Sequence, residues 1–114
     1  MQIAEHSQGQ VTVVELAGEF DSLTAPASRD ELVRLASSRD PLLLDLTKTS
    51  YMSSAGLRVL LLVYRQATSS GTPVALVGVP KLIHDVMAAT GFIDFFTIAE
   101  TVDDGLDVLV GAQL

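Results

Sequence analysis

At 114 residues, 48% of them hydrophobic, the chain has the length of one ordinary domain and enough apolar content for a single core. Cysteine is absent, which excludes a disulfide framework, a thiolate nucleophile and a cysteine-ligated metal. Seven scattered basic residues against fourteen acidic ones give a formal charge of -7, a balance opposed to nucleic-acid binding, which depends on neutralising phosphates.

The opening residues, MQIAEHSQGQ, lack a basic segment followed by an apolar one, and polar residues break every long apolar stretch before it reaches bilayer length. A cytoplasmic protein without membrane insertion is expected, with residues 1–114 forming one domain. A weak strand over Met1 to Glu5 and a β-rich strand over Gln10 to Leu16 are joined through Gly9, and the two should pair as an antiparallel hairpin. Ala17 to Asp21 then leaves the strand. Thr24 is placed to N-cap a helix with Pro26 in its first turn, where a missing N–H costs little. That helix runs to about Ser37, with Leu32, Leu35 and Ala36 inward and Arg29, Asp30, Arg34 and Arg39 in solvent.

Leu42, Leu43, Leu44 and Leu46 form an apolar run broken only by Asp45, the pattern of a parallel strand covered on both faces in the middle of a sheet. Lys48, Thr49 and Ser50 interrupt the pattern, Tyr51 and Met52 resume it, and Ser53 and Ser54 stand before a helix that reaches about Thr68. Its Leu57, Leu60, Leu61 and Tyr64 recur at helical spacing, Arg58 and Arg65 fall on the opposite face, and Leu62 lies among the outward positions. Ser69, Ser70 and Gly71 end it. PVALVGV, from Pro73 to Val79, reads as a further strand, and Pro80 opens a helix that turns Leu82, Ile83, Val86 and Met87 to the core before Gly91. Phe95 to Ile98 is a short edge strand, and Thr101 with Asp104 is a capping-box-like start to a last helix carrying Val102, Leu106, Leu109 and Val110. Strands alternating with helices imply an α/β fold with a mixed, mostly parallel sheet of about five strands, the first pair antiparallel, and about four helices.

Sequences that bind dinucleotides or nucleoside phosphates, the zinc protease motif and the serine-hydrolase elbow are all absent. His6 lies near the start of the chain and His84 far in sequence from the serines, so both read as solvated histidines. Asp30-Glu31 and Asp103-Asp104 are adjacent pairs, better suited to a solvated face or a helix start than to acid/base work. The serine pair lies at the carboxyl edge of the central strand, where open α/β sheets place their working surface. One serine is enough to cap the helix, and Gly56 in its first turn costs about 1 kcal/mol against alanine unless something approaches closely. An uncovered hydroxyl is therefore expected there. Asp21 reads on its own as a solvated loop acid or as a cap for the next helix.

Asp45-Leu46-Thr47 followed by Tyr51-Met52-Ser53-Ser54-Ala55-Gly56-Leu57 resembles the signature of anti-sigma factor antagonists and of STAS domains generally. Gly18-Glu19-Phe20-Asp21 with Thr24-Ala25 is similar to the family's second motif, and the order of strands and helices agrees over essentially the whole chain. The resemblance implies a STAS-like fold with no catalytic site, cofactor or metal. It places Ser54 at the family's phosphorylated serine and Asp21 beside it. The family's usual sequence has aspartate just before the acceptor; Ser53 occupies that place and is the second candidate acceptor. The implied partners are an anti-sigma factor that is also a serine kinase and a metal-dependent serine phosphatase, with ATP and metal belonging to them. Asp21, Thr24, Ser53, Ser54, Gly56, Arg58 and Leu62 are the residues expected at the docking surface. A non-phosphorylated adaptor, such as a STAS subunit of a lipid-transport ABC system or a signalling scaffold, would use the same surface. A small-anion sensor at the serine loop is a third reading.

Overall fold

A computed structural model describes residues 1–113. Strand β1 (Gln2–Gln8) turns into β2 (Val11–Phe20), and α1 (Ala25–Ala36) leads to β3 (Leu42–Asp45) and β4 (Thr49–Met52). Helix α2 (Ser54–Ser70), β5 (Val74–Val77), α3 (Lys81–Thr90), a single 3-10 turn (Phe92–Phe95), β6 (Thr97–Ala99) and α4 (Val102–Gln113) complete the order. The sheet runs β1-β2-β3-β5-β6, with β4 attached to the far end of β2. Only the β1-β2 pair is antiparallel, with Ile3 opposite Leu16. The leucine strand β3 lies between β2 and β5, parallel to both.

Period-two alternation sends the leucines of β3 and the residue after it to opposite faces. Leu42, Leu44 and Leu46 join Val14, Leu16, Phe20 and Leu76 in the larger core, which α1, α2 and α3 cover with Leu32, Leu60, Val63, Ile83 and Met87. Leu43 turns to the other face with Val11, Val13, Ala75 and Val77, where α4 supplies Leu109. All four leucines have no exposed surface, and each contributes about 1.5–3 kcal/mol relative to exposure, so a polar residue at any of them would undo a fold of ordinary marginal stability.

The sheet has six strands where about five were expected. The additional one, β4, arises because β2 does not stop at Leu16. The amide of Gly18 donates to the Lys48 carbonyl at 2.9 Å, and the buried Thr49 hydroxyl donates to the Leu16 carbonyl at 2.7 Å. The ladder shifts register between Gly18 and Glu19, and Gly18 takes φ +103, a bulge geometry that a side chain would strain. Strand β1 reaches Gln8, three residues beyond the expected end, because the antiparallel pairing continues to the turn. Phe95 belongs to the 3-10 turn rather than to the edge strand, stacking on Tyr64 with ring centroids 5.2 Å apart.

Inward stripes differ from expectation on three helices. On α2, Leu57 and Leu60 are buried as expected, but Val59, Val63 and Ala67 complete the stripe while Leu61 and Tyr64 are half-buried. On α3, only Ile83 and Met87 face the core; Leu82 and Val86 are exposed. On α4, Val110 is exposed, while Val102 and Leu106 pack against the second core. Helix α1 buries Leu32, Leu35 and Ala36 as expected.

Candidate functional site

The pairing of β2 with β4 builds the site. Phe20 stands opposite Met52, and the Ser53 amide donates to the Phe20 carbonyl at 3.0 Å. Parallel neighbours lie about 4.8 Å apart, so the residues that follow, Asp21 on one strand and Ser53-Ser54 on the other, emerge side by side at the carboxyl rim. Gly56 locks this junction. A Cβ there would lie 2.5 Å from the Phe20 carbonyl oxygen and 2.9 Å from Met52 Cγ. The close approach that justifies the glycine is therefore internal. Gly56 is buried against Phe20 and offers no surface to a partner, which corrects its place among the expected docking residues.

The two serines divide their tasks. Ser53 is the N-cap of α2, in extended conformation, and its hydroxyl oxygen accepts from the Ala55 amide at 3.2 Å. Ser54 is the first helical residue and is exposed. Its hydroxyl is the one left for chemistry.

Thr24 does not cap α1 with its side chain. Its hydroxyl turns back, donating to the Glu19 carbonyl at 2.7 Å and accepting from the Asp21 amide at 3.0 Å. In return, Asp21 Oδ1 accepts from the amides of Thr24 at 3.1 Å and Leu23 at 3.0 Å, and the Ala25 amide donates to the Asp21 carbonyl at 2.7 Å. This reciprocal box lies just before the helix proper and engages the Thr24 hydroxyl, which is why that hydroxyl does not cap α1. The Thr24 amide is the main cause that holds the Asp21 carboxyl below its ordinary range; desolvation opposes it, and the Leu23 amide and the Thr24 hydroxyl add to the lowering. The acid is thus a fixed charge that shapes the loop, and the loop thrusts Leu23 into solvent at 88% exposure.

Grooves flank the serine helix on both sides. Between α2 and α3, one of ≈ 400 Å³ is lined by Ser54, Arg58, Met52, Leu61, Val86 and Phe92. Between α1 and α2, one of ≈ 270 Å³ is lined by Ser22, Pro26, Arg29, Arg58, Val59 and Leu62. Beside the first, Tyr51 and Leu82 are 54% and 80% exposed. An exposed hydroxyl, a fixed carboxylate, an unburied arginine and a rim of apolar side chains form a surface suited to protein docking.

The structure thus brings Asp21, Thr24, Ser53 and Ser54 to one rim, with Arg58 and Leu62 one and two turns further along α2, Leu62 being outward as expected at 36% exposure. His6 pairs with Val13 along the hairpin, and His84 borders a separate groove with Gly78 and Glu100, so neither joins the serines. Leu23, Tyr51 and Leu82 are exposed apolar side chains near this surface that sequence alone did not place there, and Arg29 lines the α1–α2 groove. A lone leucine inside the turn-forming Asp21-Ser22-Leu23-Thr24 was a readable signal for the first; the others depend on which face of an element is covered. Among the described residues, no group of three His, Cys, Asp or Glu is placed to hold a metal, and no helix is long and apolar enough to cross a membrane.

A mixed sheet with a parallel centre, helices on both faces and a serine-headed helix at the rim define an α/β domain. The chain belongs to the STAS domain family, whose pattern it matches over residues 2–105. It is 30% identical over 93 residues to the anti-sigma-B factor antagonist of Bacillus subtilis strain 168, covering 82% of this chain and 85% of that protein. Its fold is similar to the crystal structure of an anti-sigma factor antagonist from Mycobacterium paratuberculosis, with a TM-score of 0.85, 26% identity, and coverage of 95% and 92% of the two chains. The Bacillus cell fate determinant SpoIIAA in its phosphorylated form shares the fold at a TM-score of 0.72 and 16% identity, with coverage of 93% and 97%.

Proposed function

We propose that this single STAS domain is an anti-sigma factor antagonist that binds an anti-sigma factor and is switched off by phosphorylation of Ser54, so that sigma-dependent transcription is regulated by partner exchange. The observation that carries the reading is the division of labour at the rim: Ser53 caps the helix and leaves Ser54 exposed beside the Asp21 loop. The anti-sigma factor is also the kinase. Ser54 Oγ attacks the γ-phosphorus of ATP held by that partner; the Oγ–P bond forms as the bond to the bridging oxygen of ADP breaks, and the hydroxyl proton passes to a base of the kinase. A metal-dependent phosphatase restores the hydroxyl by hydrolysis.

The physical consequences suit a local switch. A phosphate brings about -1.5 to -2 charges to a helix N-terminus, which tolerates an anion, so the fold survives. The docking surface, already carrying the Asp21 charge, gains repulsion and a desolvation cost. Leu23, Tyr51 and Leu82 provide the apolar contact area of the unmodified state. The test is incubation with the anti-sigma kinase of the same genome and ATP, followed by intact mass. One phosphoryl group is expected, lost in Ser54→Ala and retained in Ser53→Ala; incorporation that persists in Ser54→Ala overturns the assignment. The neutral Ser53 in place of the family's aspartate favours one alternative, a constitutive adaptor, which would take up no phosphate at all.

A further inference from the structure

Arg58 has a place in this site that the serine chemistry alone does not explain. Helix α2 contains no acidic residue from Ser54 to Ser70. The ion pairs among the described residues are Arg29 with Asp30, Arg34 with Glu31, and Lys81 with Asp85, each within its own helix. Arg58 is in none of them. It borders both grooves that flank α2, the one toward α3 shared with Ser54, and among the described residues no carboxylate lines either one. On a chain of net charge -7, an exposed guanidinium without a counter-charge, on an apolar floor, is a local reversal of sign. Its planar fork matches carboxylates and phosphates in bidentate fashion. Ser54 lies four residues before it on the same helix and lines the same ≈ 400 Å³ groove. At that spacing, side chains are about 5–6 Å apart at Cβ, and an anion four residues ahead of a cation is the favourable order.

We propose that Arg58 is the residue through which the state of Ser54 is read, an inference that rests on the function proposed above. With Ser54 unmodified, the guanidinium is free and pairs with a carboxylate of the anti-sigma partner. With Ser54 phosphorylated, the phosphate oxygens, held one helical turn away, take the guanidinium. The partner then loses its ion pair at the same moment as it meets an added anion. Among the described residues Asp21 makes no ion pair with Arg58, and its Oδ1 accepts from the Leu23 and Thr24 amides. One modification thereby alters two interactions of the docking surface.

The experiment installs phosphoserine at position 54 during translation and titrates the phosphate by phosphorus NMR in the parent, Arg58→Gln and Arg58→Lys. The expected phosphate pKa is lower in the parent than in Arg58→Gln by about 0.3 unit, equivalent to about 0.4 kcal/mol, with Arg58→Lys restoring part of the shift. The same proteins, with and without phosphate, are then titrated against the anti-sigma factor. Arg58→Gln should weaken the unmodified complex about tenfold and reduce the further loss caused by phosphate several-fold. A phosphate pKa equal in parent and Arg58→Gln, or an undiminished phosphate penalty in Arg58→Gln, overturns the proposal. A kinase that leaves Ser54 unmodified counts against the phosphorylation cycle and not against the pairing, which the installed phosphoserine reads by itself.

Discussion

Replacing Gly56 by alanine tests how the rim is assembled. In the interior of an exposed helix this change stabilises by up to about 1 kcal/mol, because glycine surrenders more backbone freedom on folding. Here the added methyl would sit 2.5 Å from the Phe20 carbonyl oxygen, 2.9 Å from Met52 Cγ and 3.0 Å from Phe20 Cγ. An ordinary carbon–oxygen contact is about 3.3 Å, so relief demands a displacement of roughly 0.8 Å. The Met52 side chain can yield, but the carbonyl cannot without stretching its 3.0 Å bond from the Ser53 amide. Overpacking of this kind costs about 1–3 kcal/mol against a helical gain of at most about 1 kcal/mol, and because the clash is with backbone the upper part of that range applies, leaving a net loss of about 1–2 kcal/mol. For a chain of this length that corresponds to a melting temperature lower by about 4–8 °C. The assay is urea unfolding with the slope held common to both proteins, beside Gly111→Ala, where a Cβ meets nothing within 4 Å. If Gly56→Ala proves as stable as the parent or more so, the close packing of α2 on β2 is wrong, and with it the argument that sets Ser54 beside Asp21.

Ser53→Ala should cost about 1 kcal/mol in the same unfolding assay by removing the cap on the Ala55 amide, whereas Ser53→Asp should hold or exceed parental stability, since a carboxylate both caps and suits the helix N-terminus. Because the folded pKa of Asp21 is depressed, its contribution is fully present above the ordinary carboxylate value of about 3.9 and is lost as pH falls through the folded value. Asp21→Asn should therefore flatten the fall in stability below about pH 4, read from unfolding midpoints across pH, and a parental profile in that variant would refute the loop geometry. Leu82→Ser should leave stability within about 0.5 kcal/mol, because the side chain is 80% exposed, and should weaken binding of the anti-sigma factor in calorimetry.

The parts of the fold legible in the sequence were those where one physical demand dominates. The leucine run from Leu42 could only be a doubly covered strand, and Leu32, Leu35 and Ala36 repeat on one face of α1 with charges opposite them. Helix α3 shows why the rest was not. Leu82 with Val86 and Ile83 with Met87 are two apolar pairs of identical spacing, offset by one position, and only packing selects the second pair for the core. Strand β4 was hidden because its four residues alternate too briefly, with Ser50 and Tyr51 both exposed, and because its partner was the unexpected extension of β2. At the site, the sequence showed that one of two serines would cap the helix, and geometry decided that Ser53 does. The cost of Gly56 was visible in advance, but its cause, the Phe20 carbonyl, was a contact from an element thirty-six positions earlier.

The central claim is that a single anion on Ser54 disables docking without disturbing the fold. Its most direct measurement is the calorimetric affinity of the anti-sigma factor for the unmodified and Ser54-phosphorylated protein, with melting curves of both recorded under the same conditions. The account predicts a loss of about a hundredfold, or about 2.7 kcal/mol, with the melting temperature nearly unchanged, the same direction in Ser54→Asp, and persistent binding in Ser54→Ala. Equal affinity of the two forms, or a loss of binding that tracks a loss of folded protein, would contradict it.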